Sequence, residues 1–228
     1  MAVGTFKREA GRKAIHAFIM LFPCIYFFFR GLFGHLEGLL ALVALLVLGI
    51  VIEYLRLEHR VRLPILSWLW DNFRREKEKD RMGAEIYALL GVIVALGVFD
   101  IRVATAAIMM SIFGDSAAAL VGVRYGRIQP AIFRGKSIEG SAAALVINLM
   151  VAFIFLRSDV DHSSWWLKVI EDPGSWSLSC GFGEPLWPVI IVMSLVATVV
   201  ELIISEINDN LTVPVISGFS GQVMLLMM

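Results

Sequence analysis

Asp115 is the residue whose chemistry demands an explanation. It follows the apolar run 101–113 and precedes 116–123, a segment in which Arg102 is the one other charge. An isolated acid in such a segment is costly, and acids of this kind usually serve a function. Gly114, Ala118, Gly122 and Gly126 recur every four positions, so they share a helical face that another backbone or a phosphate can approach closely. A basic loop follows, with Arg124, Arg127, Arg134 and Lys136, and closes on Ser137, Glu139 and Gly140. Helix packing accounts for the small residues and surface screening for any single arginine, but neither accounts for the acid. The stretch 114–140 reads as a nucleotide site at a membrane surface.

The loop has the parts of a phosphate cradle. The next apolar segment, 141–157, presents its amino-terminal end to the loop, and free N–H groups at such an end bind phosphate. Lys136 adds a point charge, Ser137 a hydroxyl, and Gly135 and Gly140 allow close backbone approach. Glu139 suits a Mg²⁺ ion, which takes one or two carboxylates together with phosphate oxygens; an acid at a helix start is also favoured by the helix dipole alone. Asp115 precedes Arg124 by nine residues, which on a straight helix sets it about 13 Å below the cytoplasmic end. That depth suits a reaction at a buried lipid hydroxyl. Gly114 is expected to break the helix and make room for water.

The elements that position these residues are membrane helices. The 228 residues are 58% hydrophobic and 18% charged, with a mean hydropathy of +0.79, far too apolar for a soluble domain. Candidate spans fall near 14–34, 36–55, 84–99, 102–123, 141–157, 186–205 and 212–228, so the expected fold is all-α with about six to seven transmembrane helices. Sixteen of the twenty Lys and Arg residues lie before the first span, in 56–81 or in 124–136. The positive-inside rule makes those segments, and the amino terminus, cytoplasmic. The acidic segment 158–185 is then external, and the site faces cytoplasmic nucleotide.

Residues 58–82 combine alternating charges with Trp68, Trp70 and several leucines, a composition suited to a helix on the inner leaflet. The first apolar stretch has span length and no cleavage pattern, so it is expected to stay on the protein. Cys24 and Cys180 form no metal spacing or disulfide framework. The zero net charge and the lack of a basic, aromatic-rich arm give no sign of nucleic acid.

Outside the loop, Arg12, Lys13 and His16 form a cationic entrance to the first span, where Lys13 and His16 share a face. Anchoring to anionic lipid explains the first two, whereas His16 lies a turn deeper and can reach substrate or phosphate. Glu53 and Arg56 are spaced for an interfacial ion pair. Glu85 opens the third span as a weak candidate. Near the carboxyl end Glu201 sits in an apolar segment and Asp209 and Asn210 follow at its cytoplasmic end, ahead of Pro214, which is expected to stop a simple continuation. Asp209, Asn210 and Thr212 fit metal binding and helix capping about equally.

The stretch 115–140 resembles the CTP-binding signature of the CTP-dependent lipid kinases, the family of dolichol kinase, phytol kinase and the fungal type of diacylglycerol kinase. That signature runs D-x-x-A-x-x-x-G-x-x-x-G, eight residues, then K-K-T-x-E-G. Asp115, Ala118, Gly122, Gly126, Lys136, Glu139 and Gly140 match it with every spacing kept. Gly135 replaces the first lysine, and Ser137 replaces the threonine but keeps the hydroxyl; a second phosphate-binding cation can then come from a loop arginine such as Arg127. Arg12, Lys13 and His16 resemble the family's R-K-x-x-H, and Glu201 with 209–214 resembles its E…D-N-L-T-V-P ending.

The resemblance implies one integral membrane kinase domain over 1–228. It would transfer the γ-phosphoryl group of CTP, with Mg²⁺, to the hydroxyl of a long-chain isoprenoid alcohol such as dolichol, another polyprenol or phytol, giving the lipid monophosphate and CDP. Lys136 and the helix amino terminus would hold phosphates. Asp115, with Glu139, Asp209 or Asn210, would hold Mg²⁺, and Asp115 or Asp209 would help take the alcohol proton. A CTP:phosphatidate cytidylyltransferase is the nearest enzymatic alternative, with its attack at the α-phosphorus, but the D-N-L-T-V-P ending favours the kinases. A lipid transporter would be expected to show two similar halves, and none is evident.

Overall fold

The computed structural model describes residues 17–58, 82–130, 136–156, 185–203 and 208–228. Arg12, Lys13, His16, Arg134, Gly135, nearly all of 58–82 and nearly all of 158–185 lie outside the described residues. Seven α-helices are described, with no strand among them beyond a single bridge residue, Pro185. A short 3-10 turn, Ala17–Met20, leads into α1, Leu21–Phe33; then come α2, His35–Leu57, α3, Ala84–Val98, α4, Ile101–Tyr125, α5, Ile138–Phe155, α6, Trp187–Ile203, and α7, Asp209–Leu226.

Length and apolarity let α2, α4 and α5 each cross a membrane, while Phe18–Phe33, α3 and α6 are shorter apolar helices. Leu40, Val47, Val51, Val146, Ile154 and Leu195 are among many large apolar side chains on the outside, as lipid-facing surfaces require. The chain is a polytopic, all-α membrane protein, and each of the seven expected segments coincides with a helix to within a few residues.

Helix α4 is the centre of the bundle. Every residue from Val103 to Ile112 is buried, as expected of a helix apolar on all sides, and α3, α5, α6 and α7 all pack on it. Asp100 caps it, its carboxylate accepting the Arg102 N–H at 2.9 Å. Gly114 does not break it: α4 runs unbroken through that position. The absent side chain is used for packing instead, because a Cβ there would lie 2.5 Å from Asn148 Oδ1 of α5.

Helices α4 and α5 form an antiparallel hairpin whose seam is made of small residues. A Cβ on Gly140 would fall 2.7 Å from the Ala118 carbonyl, and one on Gly126 would fall 2.7 Å from Ser137 Oγ. The four-residue stripe therefore brings one backbone against another. Its partner α5 begins at Ile138, earlier than the apolar pattern alone predicts, because Ser137 caps it: Ser137 Oγ accepts the Gly140 N–H at 3.1 Å.

Two further expectations change in α7. Pro214 lies inside this helix rather than ending one. It sits near the start, where it deprives a single carbonyl, that of Asn210, of an N–H donor, and that carbonyl lies against Gly91 of α3, 2.7 Å from where a Cβ would be. The cap is Asn208, whose side chain accepts the Asn210 N–H at 3.1 Å, rather than Asp209, Asn210 or Thr212.

Candidate active site

Lys136 is the junction of the site. It stands just before the α5 cap, and its ammonium donates to Asp209 Oδ2 at 3.0 Å and to the Glu201 carbonyl. One cation thus ties together the entrance of α5, the end of α6 and the start of α7. The Lys136 and Asp209 side chains are both half-buried, so the pair is reachable by a polar ligand. Glu201 itself is buried in α6.

The loop before α5 is braced from within. The Glu139 carboxylate accepts the Arg127 N–H at 3.0 Å and the Ile128 N–H at 3.2 Å, and the Ile138 N–H reaches the Ile128 carbonyl at 3.0 Å. Glu139 accordingly shapes the loop. Ser137 is similarly occupied by its cap and is buried. Arg124 and Arg127 remain exposed at the loop's surface, where their charge raises the local concentration of anions.

Asp115 is half-buried in α4. It shares a helical stripe with Ser111 and Ile108, both of which line a narrow cleft between the start of the chain's described part, α3, α4 and α7. The remaining lining residues are Ile19, Ala88, Val92, Ile112, Asn210 and Pro214. Helices α4 and α7 are antiparallel, with Val103 against Gly221. Asp115 lies twelve residues after Val103, and Asp209 lies twelve before Gly221, so equal helical rise sets the two acids at about the same height. The structure thus joins Lys136 to Asp209 at one end of the bundle, with Asn210 on the cleft. Ile19 of the same cleft is three residues after His16, which lies outside the described residues.

Several contributors carry weak signals in sequence. Asn148 is buried in the middle of α5, donates to Thr198 Oγ1 of α6 at 3.1 Å, and has its Oδ1 without a hydrogen-bond partner; an asparagine in an apolar span is the signal that marks it. Glu53 is buried and accepts from Arg56 at 2.7 and 2.9 Å, as its spacing predicts. It also accepts the Gly83 N–H at 2.7 Å, which ties α2 to the entrance of α3. Nothing local in the sequence announces that last bond.

No group of three His, Cys, Asp or Glu side chains gathers around a common point among the described residues. A Mg²⁺ ion that arrives with nucleotide phosphates asks the protein for one or two carboxylates only. Asp115 and Asp209 can supply them.

No family profile and no solved structure matches the chain. It is similar to proteins named CTP-dependent diacylglycerol kinase 1: that of Saccharomyces cerevisiae is 26% identical over 223 residues, covering 93% of this chain and 72% of the relative. The Schizosaccharomyces pombe protein is 24% identical, covering 93% of this chain and 91% of the relative. An uncharacterized protein of Methanocaldococcus jannaschii is 31% identical over 149 residues, covering 65% of this chain and 73% of that protein.

Proposed function

The chain belongs to the CTP-dependent lipid kinase family, and from that premise we propose that it phosphorylates the hydroxyl of a membrane lipid with CTP, at a site formed by Asp115, Lys136 and Asp209 on the cytoplasmic side. The observation that carries the reading is the contact of Lys136 with Asp209 across 73 residues of sequence. It joins the basic loop to the D-N-L-T-V-P segment, the two stretches in which the family resemblance is concentrated.

In the proposed reaction the lipid oxygen attacks the γ-phosphorus while the bond to the β–γ bridging oxygen breaks. CDP leaves, and the hydroxyl proton passes to Asp115 or Asp209. Phosphoryl transfer needs chiefly positioning and charge neutralisation. Lys136 can exchange Asp209 for a nucleotide phosphate, with Arg127 and the start of α5 adding positive potential. Asp115 or Asp209 would hold Mg²⁺, which would supply charge neutralisation to the phosphates. Glu139 and Ser137 keep the loop in shape, and Arg12, Lys13 and His16 are assigned to the nucleotide from the family motif.

The acceptor is either diacylglycerol or a long-chain isoprenoid alcohol. The relatives' names favour diacylglycerol, and the expected polyprenol or phytol acceptor finds no support among them. Detergent-purified protein incubated with Mg²⁺, γ-labelled CTP and a panel of diacylglycerol, phytol, polyprenols and phosphatidate decides between them. Label in lipid with release of CDP is expected. Pyrophosphate released with phosphatidate, and no label in lipid, would transfer the chain to the cytidylyltransferases.

A further inference from the structure

Asn148 departs from the pattern of the α4–α5 seam. The other positions spaced by four along its face of α5 are Gly140, Ala144 and Ala152, all buried, and an alanine at 148 would complete the series. A carboxamide stands there instead, 1% exposed. Its orientation follows from its hydrogen bonds: the Thr198 hydroxyl donates to the Ser194 carbonyl at 2.8 Å and accepts the Asn148 amide N–H at 3.1 Å. The amide oxygen is thereby turned onto Gly114, where a Cβ would lie 2.5 Å from it. It has no hydrogen-bond partner among the described residues, and the hydrogens of a glycine Cα are weak compensation for a buried amide oxygen. A local rule broken at such a cost is expected at a functional position.

The backbone under the carboxamide is the one that carries Asp115. Gly114 is the preceding residue, so a wedge against it bears on the rotation of α4 where the acid leaves the helix. Through Thr198 the same side chain is tied to α6 one turn before Glu201, whose carbonyl accepts from Lys136. Its own helix begins at the Ser137 cap, next to Lys136. Three helices with residues of the proposed site are thus registered on one amide. We infer that Asn148 is a positioning residue, which sets Asp115 relative to Lys136 without touching the substrate. Misplacement of a reacting group by about 1 Å is enough to cost much of a rate. The inference rests on the proposed lipid-kinase reading for its effect on turnover, but not for the placement of Asp115.

A double-mutant cycle on the full-length protein in detergent tests it. Asn148→Ala is expected to lower kcat about tenfold with the KM for CTP unchanged. Thr198→Val, which removes the hydroxyl that orients the amide, is expected to lower it about threefold. In an Asp115→Asn background neither substitution should reduce the residual turnover further, because both act through Asp115. Losses that multiply in that background, or full turnover in Asn148→Ala, would overturn the inference. A second readout needs no turnover. With Cys24 and Cys180 replaced by alanine, the rate at which Asp115→Cys reacts with a methanethiosulfonate is expected to change about threefold or more when Asn148→Ala is added. Adding Val146→Ala, on the outer surface, should leave that rate unchanged. A rate that responds to Asn148→Ala in a chain without phosphoryl transfer would keep the placement and remove the kinase reading; phosphoryl transfer with an unresponsive rate would do the reverse.

Discussion

Asp115, Lys136 and Asp209 make separable predictions because they sit in different surroundings. Asp115 is an acid within a membrane helix, so Asp115→Asn keeps the shape and removes the charge. That variant is expected to fold normally and to lose about 10²-fold or more in turnover, as measured with labelled CTP in detergent; normal turnover would overthrow the site. Lys136 is different, because it also joins three helices. Lys136→Met is expected to weaken CTP binding, read by equilibrium dialysis, and to lower the thermal midpoint in detergent as well. Asp209→Asn leaves an acceptor for Lys136 in place, so activity should fall with little change in that midpoint.

The hairpin of α4 and α5 is held by close backbone approach, and its glycines differ in what they touch. Gly140 meets the Ala118 carbonyl, part of a helix backbone that cannot turn aside, whereas Gly114 meets the tip of the Asn148 side chain. Gly140→Ala is therefore expected to destabilise the protein by about 1–3 kcal/mol through overpacking, visible as a lowered thermal midpoint. Gly114→Ala should cost less, and the Gly114→Ala/Asn148→Ala double variant should recover most of that loss because the obstructing carboxamide is gone. If the two glycine variants were equally destabilised and Asn148→Ala gave no recovery, the packing account of the stripe would be wrong. The resemblance of 115–140 to a nucleotide signature stands beside this packing role, since the same close approach brings Ser137 and Glu139 over the end of α4.

For the molecule as a whole, the distribution of Lys and Arg predicts which side each connection occupies. With Cys24 and Cys180 replaced by alanine, Gln129→Cys is expected to react with an impermeant maleimide only after cells are opened, and Ser163→Cys to react in intact cells. The opposite pattern would put the site on the wrong side of the membrane for cytoplasmic CTP. The bundle itself is consistent with this division: Leu186 N–H bonds the Leu156 carbonyl at 3.1 Å, so the ends of the expected external connection meet at the opposite end of α5 from Lys136.

Much of this protein is written in local pattern. Hydropathy marks the seven helices because each must hide its own backbone from lipid, and the spacing of Asp115, Gly122, Gly126, Lys136 and Gly140 is legible because residues four apart on a helix share a face. Local pattern failed where a residue's role depends on what packs against it. Gly114 looked like a break until Asn148 filled its place, and nothing in the loop's own pattern announces the bonds from the Arg127 and Ile128 N–H groups to Glu139. Pro214 looked like a terminus until α7 began just five residues earlier. The meeting of Lys136 with Asp209, the bond from Gly83 to Glu53, and the cleft of Ser111 and Asn210 were decided by tertiary structure alone. Each depends on the rotation and register of helices far apart in the chain, which are set by the summed packing of α4 against its neighbours and by no single stretch of residues.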